Sequence, residues 1–144
     1  MEAMQYPPHF TLAIYDNIRL PDLFAGFESA LDSLSRMTIR FESLGYFEAP
    51  DAIILWAAPI LPKQLLAAHA RIHSTIDTSI CRKNYRPGVW VPHCSLATSI
   101  GLNRKDEALT IAEQAIEPVE VTFDVADCAS FMPVKILREA PLDP

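Results

Sequence analysis

The chain has 144 residues, half of them hydrophobic and 21% charged, with a formal net charge of −6. That length makes one domain, or two small lobes sharing a core, and it suffices to bury a core without disulfide staples. No apolar run approaches the roughly 20 residues needed to span a membrane, no signal peptide is visible at the N-terminus, and the acidic balance argues against a broad electrostatic grip on nucleic acid. Cys81, Cys94 and Cys128 are odd in number and lack metal-ligand spacing, so free thiols in a reducing cytoplasm are expected.

In chain order, residues 9–15 (HFTLAIY) read as a strand rich in β-formers. Leu20, Leu23, Phe24, Phe27, Leu31 and Leu34 then recur at helical spacing, with Pro21 and Asp22 suited to a first turn. TIRFESLGYF (38–47) reads as a strand, and DAIILWAAPI (51–60) as a second, apolar throughout and expected to be buried on both faces. Leu65, Leu66, His69, Ile72, His73 and Ile76 describe a helix from Pro62 to about Ile80. RKNYRPG (82–88) reads as a polar loop with three cations, and VWVPHCSLATSI (89–100) as a strand. A third helix is expected over 103–116 with Asn103 as its N-cap, and VEVTFDVADCASF and PVKILREA close the chain as two strands. Interleaved helices and strands joined by short turns predict an α+β fold with mixed or antiparallel sheets. The four glycines form no phosphate-binding loop pattern.

The informative feature is a repeat. PPHFTLA at 7–13 is echoed by VPHCSLA at 91–97, and both read Pro-His-x-(Thr/Ser)-Leu-Ala. Side chains alternate along a strand, so His9 and Thr11 would share one face and Phe10 and Leu12 the other. Likewise His93 and Ser95 would share a face opposite Cys94 and Leu96. Each copy therefore offers an imidazole beside a hydroxyl, backed by apolar anchors. Two such pairs converging on one cleft suit a concerted phosphodiester displacement. One neutral imidazole takes a proton from the attacking oxygen, and the other, as imidazolium, protonates the leaving oxygen. The hydroxyls hydrogen-bond the non-bridging oxygens. No metal or other cofactor is needed.

These paired H-x-(T/S)-hydrophobic motifs resemble the signature of the 2H phosphoesterase superfamily, in particular its bacterial 2′-5′ RNA ligase-like branch. YPPHFTLAIYD, FESLGYFEAPDAIILWAAPI, LLAAHARIHSTI, YRPGVWVPHCSLA and PVKILREAPL are similar to successive segments of such proteins. The resemblance implies one domain over 1–144 with a pseudo-twofold, two-lobed α+β fold around a central cleft, one lobe carrying each motif. It implies cyclic phosphodiesterase activity on 2′,3′-cyclic phosphate ends of RNA or nucleotides, and in some relatives reversible 2′-5′ ligation. His9 and His93 would be the acid–base pair, with Thr11 and Ser95 binding the phosphate. Some relatives carry a basic residue shortly after the second motif, where this chain has Thr98 and Ser99.

Relatives usually carry a strand and a helix before the first motif, whereas eight residues precede His9 here. An exposed sheet edge is expected in consequence, and a homodimer that covers it. Arg86, from the YRPG segment, is the best cationic candidate for a substrate contact, and Tyr6 and Trp90 flank the two histidines as possible cleft borders. His69 and His73 have the i, i+4 spacing of a metal pair, but no acidic third ligand accompanies them. The alternative to catalysis is a module that binds nucleotides or RNA ends without turnover.

Overall fold

The computed structural model describes residues 6–144. Its helices are α1 (Leu20–Leu31), α2 (Lys63–Thr75) and α3 (Lys105–Glu113). Its strands are β1 (Met37–Glu48), β2 (Ala52–Pro59), β3 (Cys94–Gly101), β4 (Val119–Phe123), β5 (Val125–Ser130) and β6 (Lys135–Pro141). Four strands form one sheet in the order β3-β2-β1-β4, and β5 and β6 form a hairpin. The β1–β2 and β2–β3 pairs are antiparallel. The α+β expectation therefore holds.

The chain divides into two compact units, the first built from 6–11, 39–60 and 92–121 and the second from 12–38, 61–91 and 122–144. Both H-x-(T/S) motifs fall in the first unit.

In the first unit, α3 covers one face of the sheet. Ile53 and Leu55 of β2 pack with Ala108 of α3, and Ala97, Ile100 and Ala112 close around them. Strand alternation explains the pattern, since Ile53, Leu55 and Ala57 are buried while Ile54 and Trp56 are half-buried. The β2 run is therefore buried on one face and only half-covered on the other, not on both.

In the second unit, α1 and α2 pack through Ala30, Ala68, Ile72 and Ile76, with Leu12, Ala13, Tyr15, Ile18 and Leu34 around them. Gly26 permits this approach, because a Cβ there would lie 2.9 Å from Cγ1 of Ile76. The helix expected to reach Ile80 stops at Thr75. Ile76 turns to an extended backbone, and the Asp77 carboxylate accepts from the Ser79 N–H to start a separate 3₁₀ turn.

The 82–88 loop is held by specific contacts rather than solvated. The Arg82 guanidinium pairs with Asp16 and lies over the Phe131 ring. Arg86 donates from Nε to the Cys81 carbonyl (2.9 Å) and from an Nη to that of Ser79 (2.7 Å). His69 donates from Nε2 to the Tyr85 carbonyl at 2.7 Å, and Trp90 stacks flat on its ring at 4.1 Å.

Three further expectations change. Residues 9–14 belong to no strand, and Tyr15 alone bridges to Cys81. Asn103 lies in a 3₁₀ turn (Leu102–Arg104) ahead of α3, whose N-cap position is Arg104. The run 119–131 breaks at Asp124, so that β4 and β5 lie in different sheets.

Packing at Gly26 gives a sign-reversing test. Gly26→Ala alone gains about 1 kcal/mol of helix propensity but overpacks Ile76 at a cost of about 1–3 kcal/mol, so denaturant melts should show a net loss. Ile76→Ala should cost about 2–5 kcal/mol. In that background Gly26→Ala should become stabilising.

Burial holds the His69 imidazole below its ordinary range against the opposing pull of the Tyr85 carbonyl, and burial together with the nearby His69 does the same to His73. Above about pH 6.5 both rings are neutral folded or unfolded, and their packing contributes in full. Below it the unfolded chain takes up protons first, so stability falls until the depressed folded pKa values are passed. Thermal melts between pH 7.5 and 5 should show this fall, and His69→Gln should make it shallower.

Candidate active site

His93 is the residue just before β3, and the ladder fixes the residues after it. Cys94 pairs with Ala57, Ser95 with Trp56, Ala97 with Leu55 and Ile100 with Ile53. The register slips twice, so β3 inserts extra residues as bulges. The sheet core therefore receives Cys94, Ala97 and Ile100 at steps of three. Leu96, expected beside Cys94 as an anchor, is bulged outward and 59% exposed. Cys94 is buried, as expected, and its thiol pKa is raised by burial, an effect partly offset by a hydrogen bond from the His9 backbone.

The first motif lacks a ladder, yet its backbone at His9 abuts the residue after His93. Phe10 stacks on the buried Phe41 of β1, with centroids 6.0 Å apart and planes within 12°. Leu12 packs among the helices of the second unit. Phe10 and Leu12 thus both meet apolar partners although residues 9–14 form no strand. Thr11 is half-buried in the first unit, as is Ser95.

The His9 ring is oriented from two sides. Its Nδ1 lies 2.9 Å from the Pro7 carbonyl, which can only accept, so Nδ1 carries the hydrogen. In the neutral ring the basic lone pair is then on Nε2. The Tyr6 ring meets the imidazole at 4.8 Å and 75°. Around His93 the sheet supplies two rings that the motif pattern does not signal. Phe47 of β1 lies 4.9 Å away at 86°, and Trp56 of β2 5.9 Å away at 58°. Phe47 and Trp56 stack on one another at 4.9 Å.

Ser95 and Trp56 oppose each other in the ladder, as do Trp56 and Gly45, so all three share the face opposite α3. The signal for Trp56 was its parity. In a strand whose odd residues are the buried ones, Trp56 is even-numbered and projects to the motif's side.

Of the residues singled out from the sequence, Tyr6, His9, Thr11, His93 and Ser95 lie together in the first unit. Arg86 and Trp90 lie in the second, where Arg86 holds two backbone carbonyls and Trp90 stacks on His69. Among the described residues no group of three or more His, Cys, Asp or Glu side chains could hold a metal ion, and no helix is long and apolar enough to cross a membrane.

Two imidazoles and two hydroxyls on adjoining segments can shuttle protons to and from phosphate oxygens while hydrogen-bonding its charge. No curated protein matches the chain. A family model for the 2′-5′ RNA ligase superfamily, by contrast, matches residues 2–130, almost the whole sequence. The chain belongs to the 2′-5′ RNA ligase superfamily of 2H phosphoesterases.

Proposed function

We propose that the protein is a metal-independent phosphodiesterase that opens 2′,3′-cyclic phosphate ends of RNA or nucleotides, with reversible 2′-5′ ligation as the same chemistry run on an RNA hydroxyl. His9 and His93 exchange roles as base and acid. One takes the proton of the attacking water as the P–O bond forms, and the other protonates the leaving ribose oxygen as its P–O bond breaks. Thr11 and Ser95 donate hydrogen bonds to the non-bridging oxygens. Tyr6, in the same unit as both histidines, is a further candidate for substrate contact.

The observation that supports the reading is that both H-x-(T/S) motifs fall in the first unit, with the His9 backbone against the Cys94 thiol. For His9, the hydrogen held on Nδ1 by Pro7 leaves Nε2 as the atom that exchanges the proton. Three free cysteines, two of them buried, fit a reducing cytoplasm.

The test is turnover of a 2′,3′-cyclic nucleotide and of a cyclic-phosphate oligonucleotide. His9→Ala and His93→Ala should each lower kcat by about 10²–10⁴-fold, and the double variant by little more than the worse single one. The wild-type pH–rate profile should be bell-shaped. Equal activity in all proteins contradicts the mechanism, and tight binding with no turnover across a panel of cyclic phosphates means a binding module instead.

The expected homodimer belongs to the same reading. Strand β3 stands at one end of the sheet's strand order, and Leu96 on it and Leu102 beyond it are about half exposed. Sedimentation at high concentration should show a dimer, and a strict monomer contradicts it.

A further inference from the structure

We infer that Phe47 and Trp56 are positioning residues for His93, and that Gly45 is the residue that lets Trp56 serve. The inference rests on the reading of His93 as an acid–base group.

His93 precedes the first paired residue of β3, so ladder hydrogen bonds begin after it. Its ring orientation therefore depends on what it touches. Phe47 meets it nearly perpendicular at 4.9 Å, and Trp56 meets it obliquely at 5.9 Å. Aromatic rings at these separations favour edge-to-face geometries over free rotation. The two rings are themselves stacked, so they act on the imidazole as one block.

The block has its own support. Gly45 pairs with Trp56, and the indole lies across it. A Cβ on residue 45 would come within 2.7 Å of Cε2 of the indole and closer still to two other ring carbons. Any side chain at this position therefore lifts the indole away from its seat. Glycine is required here for closeness of approach.

A second observation separates this role from plain packing. The Trp56 Nε1–H is buried and has no hydrogen-bond partner among the described residues. A buried donor left unpaired lowers stability. Phenylalanine would fill much of the same space without that penalty. A tryptophan kept for stability alone is a poor choice here, whereas one kept for the reach of its indole toward His93 accounts for the orphaned donor.

The experiment compares wild type, Phe47→Leu, Trp56→Phe, Gly45→Ala and the Gly45→Ala/Trp56→Phe double variant. Three quantities are read: the melting temperature, kcat and KM on a 2′,3′-cyclic nucleotide, and the His93 ring signal in a ¹H–¹³C NMR spectrum, assigned by its loss in His93→Gln. Trp56→Phe should melt at or above the wild-type temperature. In each single variant the His93 signal should move toward the position of an exposed imidazole as the ring currents are lost. The kcat should fall by about 10- to 100-fold, with KM changed by less than about 3-fold. The double variant should lose no more than the worse single one, because both changes act through one contact.

An unmoved His93 signal in folded Phe47→Leu and Trp56→Phe overturns the inference. So does a kcat within about 2-fold of wild type in both. If wild type turns over no cyclic phosphate, the proposed reaction fails by itself. The NMR signal then still decides whether the two rings hold His93.

Discussion

Everything proposed for this protein depends on how the first motif is held. Residues 9–14 lie outside the strands, unlike Ser95 and its neighbours in β3. The His9 backbone lies against the buried Cys94 thiol, and Phe10 stacks on Phe41. Cys94 behaves here as a small buried hydrophobe. Its proximity to His93 in sequence converts that single contact into the juxtaposition of two imidazole-bearing segments. The cysteine is thus structural, and burial, by raising its pKa, keeps it a thiol.

The second constraint is the irregular register of β2 and β3. A regular ladder would have placed Cys94, Leu96 and a third residue two further on in the core. Bulges instead send Cys94, Ala97 and Ile100 inward and leave Leu96 outside. The slip next to Trp56 and Ser95 re-aims the strand directly at the motif, a common position for a bulge. Gly45, Trp56, Phe47 and Ser95 consequently line one face, while α3 is packed on the other. The chemistry proposed for Ser95 and His93 therefore rests on a face whose shape is set by aromatic rings.

Local pattern carried much of this. The apolar periodicities of 20–34 and 62–76 mark two helices because each must bury a stripe against the other, and they do so through Ala30, Ala68, Ile72 and Ile76. The duplicated tetrapeptide was visible because chemistry dictates residue type at fixed spacing. What escaped the sequence were features decided by distant partners. The bulges depend on how β2 and β3 pair across some forty residues. The 119–131 run looks continuous, and only the separate sheets of β4 and β5 explain its break at Asp124. Arg86 has the chemistry to greet phosphate, but the nearby carbonyls of Ser79 and Cys81 take its hydrogen bonds. Phe47 and Trp56 read as ordinary strand residues until the β1–β2 register makes them diagonal neighbours on one face, against His93.

The central claim is that the two motifs form one site for one phosphate-like group. Titration with vanadate, which adopts the five-coordinate geometry of phosphoryl displacement, tests it most directly when monitored through the ring signals of His9 and His93 in the same NMR samples. The account predicts that both signals move together with a single dissociation constant, and that Thr11→Ala and Ser95→Ala weaken that one constant. Movement of one histidine alone, or of the two with different constants, would contradict it.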